Sequence, residues 1–457
     1  MKQIRKLVAI GTLVLVLAIQ SFATDSRKIV LTGTVYHEYS PLGMVITSVD
    51  ALLNPTFMLD HPNFVNVDMD SATLTYSGYG FIKLEALNLP GMLGLQIGKR
   101  YGSYRNDIWV GPGQDINDLN GLVAPLCGQA NVGVDGVNVT NLNGVRSFGL
   151  YYALPLGDKL KAGFGLNYIG RGVSGNRIND PQSISTEMDD TFEKKISTMM
   201  FRAGVGYTMM NDKLNLNLDI GFGKPKYNYE YTAIAGISTA DSETATFSGT
   251  DMDANIRASY VLGDNTDVVA NLFYLSYGGS LEIDPDTATA DDGTTYKRSQ
   301  NGLIFLVGPL FHGDGYNFGI QAGFAQGKST VETSVQAAGM DIQKDNPKIS
   351  SFPIFRVFAE KRLFSWFTMR ASVSFESYKE NSLINIDTDP LTEDWDTVTA
   401  EPTSSLTTAF GFTVNMKNGF YIDAYMYDRI FREGPWILTG NASIPDLNAG
   451  FSIGINL

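Results

Sequence analysis

Few residues of this chain have the types and spacings that catalysis or metal binding requires. The three histidines, His37, His61 and His312, lie far apart and show none of the ligand spacings of a metal site. Cys127 is the single cysteine, so no intrachain disulfide can form, and a buried structural thiol is its expected role. No Ser and His arrangement suggests a nucleophile with its base. We therefore expect no enzymatic activity and no cofactor.

Two acidic stretches contain the oxygen ligands that Ca²⁺ prefers. The first includes Asp284, Asp286, Asp291 and Asp292, and the second lies within residues 387–396. Neither stretch has the spacing and the glycine of an EF-hand loop. The favoured interpretation is a pair of solvated loops with no metal site, and a weak calcium site is the alternative.

Charged side chains of both signs recur on one face of the segments that alternate apolar and polar residues. At the centre of a bilayer, an Arg or Lys that faces lipid costs roughly 2–4 kcal/mol. These charges are therefore predicted to point into the lumen of a barrel, where they either form an ion-pair network that fills it or line a path for solutes. The set consists of Lys83, Glu85, Lys161, Arg202, Asp219, Arg257, Arg356, Glu360, Arg370, Glu376 and Asp423.

Aromatic side chains share this predicted inner face. A lining that mixes aromatic and polar groups suits a pocket for a hydrophobic or amphipathic ligand. The alternative is that these residues belong to an aromatic girdle at the membrane boundary. They are Tyr151, Phe273, Phe358, Tyr425 and Tyr427.

The elements that must position these side chains are strands with one apolar face and one polar or small face. Phe164 and Leu166, for example, alternate with Gly163 and Gly165, and the same pattern continues to Leu457. Strands with one face toward lipid and the other toward a lumen are typical of outer-membrane barrels. A hydrophobic content of only 44% fits, because every second residue faces the lumen. The predicted fold class is all-β, a transmembrane antiparallel β-barrel.

Short turns and long polar connections alternate between these strands, as in outer-membrane barrels whose short turns face the periplasm. Counting from about Ala72 gives about 15 strands, and residues 63–69 could form another. Because an even number is expected, 14 strands are favoured and 16 remain possible. The short turns, rich in Gly, Asn and Asp, lie at residues 157–158, 211–212, 263–265, 313–315 and 417–419.

Residues 1–23 have the three parts of a secretory signal. Lys2 and Arg5 precede an apolar run at residues 7–19, and small residues lead to an exit before Thr24. The run is too short for a transmembrane helix, which needs about 20 residues. We predict export to the outer membrane, a hatch or plug segment at residues 24–62 and a barrel at residues 63–457.

The predicted plug segment lacks the strand alternation. Leu42, Val45, Val49 and Leu52 recur at helical spacing until Asn54-Pro55 ends the run. This pattern predicts a short amphipathic helix that plugs the lumen. The alternative is a helix packed outside the mouth of the barrel.

The chain is acidic as a whole. Its formal net charge of −14 argues against nucleic acid, and against anionic lipid, as a polyvalent partner.

Residues 42–65 have an order of features found in one family of barrels. A segment of small residues precedes Asp50, and Asn54-Pro55 follows shortly before a first strand. This order resembles the N-terminal hatch of FadL-type outer-membrane transporters of hydrophobic compounds, and of the related PorV-like barrels. Thr56 replaces the usual Ala, and Leu457 replaces the aromatic residue that many barrels present to the barrel-assembly machinery. The resemblance implies a 14-stranded barrel with a luminal plug, in which Asp50, Asn54 and Pro55 form the hatch or gate.

The expected function is an outer-membrane channel for passive uptake of hydrophobic or amphipathic small molecules. Its expected partners are outer-membrane lipid, that small molecule and the barrel-assembly machinery. One alternative is a general diffusion porin for polar solutes that uses Arg202, Arg257, Arg356 and Arg370. Another is a structural or docking barrel that binds a second surface protein. The sequence leaves the transported species and the oligomeric state open.

Overall fold

The structure is a computed structural model that describes most of the barrel and parts of the N-terminal segment. The predicted signal peptide, His37, Cys127, Asp286, Asp291 and Asp292 lie outside the described residues, as do the side chains of Asp284 and Tyr427. The described residues are 26–32, 43–61, 63–70, 75–98, 146–178, 189–232, 243–285, 294–335, 340–345, 348–385, 395–399, 403–416, 419–428 and 448–457.

Most of the described chain is a single antiparallel sheet, accompanied by a few short helices. The helices are α1 (Ser26–Thr32) and α2 (Asp50–Leu53), with 3₁₀ helices at Pro55–Asp60 and Leu84–Leu87. The strands are β1 (Phe64–Asp70), β2 (Thr75–Lys83), β3 (Met92–Gly98), β4 (Arg146–Pro155), β5 (Leu160–Ile178), β6 (Asp189–Met209), β7 (Leu214–Thr232), β8 (Glu243–Gly263), β9 (Thr266–Pro285), β10 (Thr294–Gly313), β11 (Tyr316–Val335), β12 (Met340–Asp345), β13 (Lys348–Phe364), β14 (Phe367–Asn385), β15 (Trp395–Thr399), β16 (Thr403–Asn415), β17 (Phe420–Asp428) and β18 (Asn448–Asn456).

The described strands close into a barrel of sixteen positions. β12 and β13 pair with successive parts of β11, and β15 and β16 pair with successive parts of β14, so each couple occupies one position. The last strand, β18, pairs with β1, and β1 lies beside β2. Sixteen is the larger of the two predicted counts. The favoured count of 14, which the resemblance implied, is corrected because Phe64–Asp70 is a full strand that closes the sheet.

The two faces of the barrel differ as the alternation predicts. Phe164 is 59% exposed and Ile220 is 47% exposed on the outer face, whereas Asn167 and Asp219 are buried on the inner face. Near the C-terminus, Phe451 and Ile453 are likewise exposed, whereas Ser452 and Gly454 between them are buried. An apolar outer face around a polar interior is the arrangement of a transmembrane barrel.

The two ends of the barrel also differ. At one end, strands are joined by short turns such as residues 210–213, where Asn211 and Asp212 have positive φ angles of 54° and 67°. Asn and Asp tolerate this left-handed conformation better than other non-glycine residues. At the opposite end, long connections follow strands such as β5, which has 19 residues. About 9–11 tilted residues cross a bilayer, so the long strands extend past the membrane at this end.

One of the predicted inner-face charges lies elsewhere. Glu85 lies in the 3₁₀ helix that follows β2, and its side chain is exposed at the short-turn end. The prediction was wrong for Glu85 because it continued the strand alternation past the point where β2 ends. Lys83 is the last residue of β2, in phase with the inward-facing Phe81, and its side chain is exposed at the same end.

The N-terminal segment is less helical than predicted. Only Asp50–Leu53 of the predicted amphipathic stretch is α-helical, and α1 is a separate helix. The Asp50 carboxylate accepts hydrogen bonds from the backbone N–H and the hydroxyl of Thr47, at 2.8 and 2.9 Å. This contact resembles the acidic half of a capping box, a motif that marks the beginning of a helix. The helix therefore begins near Asp50 and not near residue 42 as the pattern predicted. Among the described residues, no helix is both long enough and apolar enough to cross a membrane.

Candidate functional site

The described parts of the N-terminal segment, residues 26–32 and 43–61, contact inward-facing side chains of the barrel and are tied together by a buried ion pair. Lys28 Nζ in α1 lies 2.6 Å from Asp50 Oδ1 in α2, and the two side chains are 1% and 0% exposed. With its bonds to Thr47, the Asp50 carboxylate has three donors. A buried ion pair is retained only with such geometry, since breaking one by removing a partner costs about 3–5 kcal/mol.

Two of the predicted luminal arginines bind the backbone of this segment. Arg202 on β6 donates to the carbonyl oxygen of Leu53 at 3.0 Å, and to the carboxylates of Asp219 and Asp253. Arg257 on β8 donates to the carbonyl oxygens of Gly43 and Met44, at 3.1 and 2.7 Å. Carbonyl groups that a longer helix would have bonded internally are thus satisfied by the barrel wall.

Arginine–carboxylate contacts fix the other end of the segment. Arg27 in α1 meets both oxygens of Glu360 on β13, at 2.8 and 2.9 Å. Arg370 on β14 bonds the same carboxylate and also donates to Asp423 on β17 at 2.7 Å. Thr413 hydroxyl joins this network by bonding both Arg370 and Asp423.

The turn at Asn54-Pro55-Thr56 sits against glycines of the wall. Asn54 Oδ1 accepts bonds from the backbone N–H and hydroxyl of Thr56, at 3.1 and 2.7 Å, and so begins the 3₁₀ helix. A Cβ on Gly204 would lie 2.2 Å from that oxygen, and a Cβ on Gly163 would lie 2.8 Å from Thr56 N. The turn can therefore approach β5 and β6 only because these positions are glycine.

Apolar contacts complete the seating of the segment. Leu52, Phe57 and Met58 pack in one buried cluster with Phe81 of β2 and Tyr151 of β4. The Tyr151 hydroxyl donates to Gln96 or Asn167, whose side-chain oxygens lie 2.7 and 2.5 Å away. The aromatic inner face is thus covered, in part, by the chain's own N-terminal segment.

Two other predicted aromatics contact other parts of the segment. Phe358 packs with Leu31 and Met44, and Tyr425 packs with Val30 of α1. Phe273 is buried on the inner face of β9. The segment thereby contacts the wall on several sides.

The remaining predicted site residues have weaker roles. Lys161 forms an ion pair with Asp60 at a rim where both side chains are at least one third exposed. Arg356 is buried, and its Nε has no hydrogen-bond partner in the described part of the chain. Glu376 is half-buried on β14.

His61, at the end of the 3₁₀ helix, is a further titratable group near the segment. Burial lowers the pKa of His61, although the charge of Asp60 acts in the opposite direction. Its ring lies beside Phe64 and Phe81, with ring centroids 6.1 and 6.3 Å away. Burial therefore favours the neutral form of His61. In the described residues, no group of three or more His, Cys, Asp or Glu could hold a metal ion.

Sequence reasoning missed several residues of the site. Asp253 could have been found, because it alternates with Asn255 and Arg257 on the inner face of β8. Arg27 and Lys28 carried no such signal, since their partners Glu360 and Asp50 are 333 and 22 positions away in the chain.

Comparisons with known proteins return structural alignments at low sequence identity. No protein-family model and no curated protein sequence matches it. The ferric yersiniabactin uptake receptor FyuA of Yersinia pestis aligns with a TM-score of 0.45 and 15% identity, over 80% of this chain and 53% of FyuA. The chain thus spans about half the length of FyuA.

Two other solved structures align over much of the chain. The toluene transporter TodX of Pseudomonas putida aligns with a TM-score of 0.37 and 10% identity, over 96% of this chain and 100% of TodX. CdiB from Escherichia coli aligns with a TM-score of 0.38 and 10% identity, over 86% of this chain and 63% of CdiB. At these identities and TM-scores, no substrate carries over to this chain.

Proposed function

We propose that the protein is an outer-membrane channel that admits hydrophobic or amphipathic small molecules past its N-terminal segment. The observation that supports the proposal is the set of buried contacts between residues 26–32 and 43–61 and inward-facing side chains of the barrel. An open porin has a water-filled lumen, whereas here polar wall groups bind the chain's own backbone. The segment is therefore the element that must shift before a solute can pass.

The apolar contacts of the segment support the substrate class. If residues 52–58 move, the aromatic surface formed by Phe81, Tyr151 and their neighbours becomes available to a ligand. On the outer side of the same wall, a shallow groove of ≈ 650 Å³ lies between apolar side chains that include Phe164, Phe201 and Phe222. Apolar surface on both sides of one part of the wall suits a ligand that partitions into membranes.

A matched pair of variants tests the gating role of the segment. Lys28→Met leaves Asp50 buried without its cation, which costs about 3–5 kcal/mol and should release the segment. In planar bilayers we expect the wild type to be nearly silent and Lys28→Met to conduct. In liposomes, Lys28→Met should take up a fluorescent fatty acid or an aromatic hydrocarbon faster than the wild type.

Two controls separate gating from misfolding. The K28M/D50N double variant removes both charges, while the amide oxygen of Asn can still accept the two bonds from Thr47. It should be nearly as silent as the wild type, because uncharged replacement of a buried ion pair is often neutral. Lys159→Met changes an exposed lysine at a short turn and should have no effect. Steady ohmic conductance of the wild type would instead support the porin. Silence of every variant, without uptake, would support the docking barrel.

A further inference from the structure

A shallow groove on the outer face of the barrel is flanked by lysines. Lys224 and Lys226 of β7 form one side, and Lys297 of β10 forms the other; all three side chains are exposed. Between them, β8 and β9 contribute small residues, including Ser248 and Ser280. The groove has a volume of ≈ 660 Å³. We call these three lysines and the small residues between them the lysine groove.

The strand register places the residues of the lysine groove side by side. Lys226 pairs with Ser248, Ser248 with Ser280, and Ser280 with Lys297. All four therefore lie in one row and on one face of the sheet. Direct ladder pairs between β7 and β8 are missing at Lys224 and Pro225, where the proline has no N–H to donate. The small side chains make the row shallow enough for a ligand to lie between the lysines.

The height of the lysine groove matches the outer boundary of the membrane. On β7, exposed apolar side chains end at Phe222, and Lys224 and Lys226 follow on the same face toward the long-connection end. Lys224 is about ten residues above the short turn that precedes Leu214, which is about one bilayer crossing. The lysines therefore lie where lipid headgroups of the outer leaflet meet the barrel.

The charge of the lysine groove contrasts with that of the whole chain. The formal net charge is −14, yet none of the three lysines has an ion-pair or hydrogen-bond partner in the described part of the protein. Glu282 is an exposed acid on the same face, one step further up β9. The acidic net charge led us to expect no polyvalent binding of anionic lipid. The strand register nevertheless places these lysines at the same height on the barrel.

The same outer face carries more cations on neighbouring strands. Lys328 of β11 lies directly opposite Lys348 of β13, and Lys379 of β14 lies diagonally beyond it. All three are exposed. Like charges directly opposite on a sheet are destabilising unless an anion lies near them. A layer of anionic headgroups at this level would remove that cost.

We propose that the lysine groove binds the phosphate groups of a lipid headgroup in the outer leaflet. Lysine ammonium groups would meet the phosphate oxygens from both sides, and the hydroxyls of Ser248 and Ser280 would donate hydrogen bonds from the floor. The proposal depends on the orientation of the barrel in the membrane and not on what the lumen transports.

Binding of diphosphoryl lipid A to the full-length protein in non-ionic detergent tests the proposal. Near an anionic membrane surface each lysine contributes about 1 kcal/mol, or about fivefold in affinity. The K224Q/K226Q/K297Q variant should therefore bind lipid A more than tenfold more weakly than the wild type. The K83Q/K159Q/K213Q variant, with the same charge change at the short-turn end, should bind like the wild type.

Three results would overturn the proposal. The first is equal binding by the groove variant and the wild type, and the second is an equal loss in the short-turn variant. The third is displacement of lipid A by inorganic phosphate at equal phosphate concentration, which would indicate a site for free phosphate. Lipid A without its phosphates should bind weakly to every variant. If the triple variant fails to fold, Lys226→Gln alone should weaken binding about fivefold.

Discussion

At the residue scale, two glycines decide whether the Asn54-Pro55 turn can reach the wall. Gly163 and Gly204 stand where any Cβ would meet the turn at less than 3 Å. Asn54 is fully buried and its oxygen already bonds Thr56, so it cannot move aside without losing its cap. Gly163 and Gly204 are therefore as necessary for the position of this turn as the charged side chains are for the rest of the segment.

Substitution of these glycines by alanine should loosen the turn. We expect Gly163→Ala and Gly204→Ala each to cost about 1–3 kcal/mol, because overpacking forces the backbone of the turn to shift. Thermal unfolding in detergent measures the loss, and bilayer conductance should rise with it. Gly302→Ala is the matched control, since its nearest neighbour would lie at 3.5 Å, an ordinary contact. Equal stability and equal conductance of all three variants would contradict the requirement for glycine at positions 163 and 204.

At the element scale, α1 is a seven-residue helix that is too short to be stable alone. Its position depends on Arg27, Lys28 and Val30, which contact Glu360, Asp50 and Tyr425. These partners lie on β13, α2 and β17, so α1 is held by contacts with two strands and a second helix more than by its own hydrogen bonds.

Removal of the Arg27 contact should loosen α1 locally. Arg27 is partly exposed and Glu360 keeps Arg370 and Asn317 as partners, so Arg27→Gln should cost only about 1 kcal/mol. Hydrogen exchange of residues 26–32 should become about fivefold faster, with no change in β13. Arg362→Gln breaks an exposed ion pair with Asp314 and should leave this exchange unchanged. Unchanged exchange in Arg27→Gln would show that α1 is fixed by Lys28 and its apolar contacts alone.

At the scale of the whole molecule, the outer face of the barrel exposes rows of apolar side chains that suit the hydrocarbon core of a membrane. Leu218 lies in the middle of the exposed apolar row of β7, whereas Leu262 lies near the short turn at the end of β8. The cost of a charge on the lipid face depends strongly on depth.

Arginine at these two leucines should therefore give different losses. Leu218→Arg should cost about 2–4 kcal/mol and Leu262→Arg about 0–1 kcal/mol, since Arg at the boundary reaches water. Urea titrations of folding into phospholipid vesicles measure both values. An equal loss at both positions would contradict the assigned membrane boundaries.

Sequence periodicity was enough to predict the barrel, its lipid face and the inward direction of Arg202, Asp219, Arg257 and Arg370. Alternation is a local property, because side chains point to opposite faces at successive residues whatever the rest of the fold does. Glu85 departs from the alternation because it lies in a 3₁₀ helix, where successive side chains no longer point to opposite faces of a sheet.

Only the tertiary structure decided the strand count and the partners across the lumen. Closure depends on whether Phe64–Asp70 can pair with β18, at the other end of the chain. Asp70, for example, pairs with Gly450. Arg202 of β6 meets the Leu53 carbonyl, and Arg27 meets Glu360 of β13, because the closed barrel brings these strands to the N-terminal segment. Periodicity specifies the direction of a side chain, but the barrel's size and register determine what it meets.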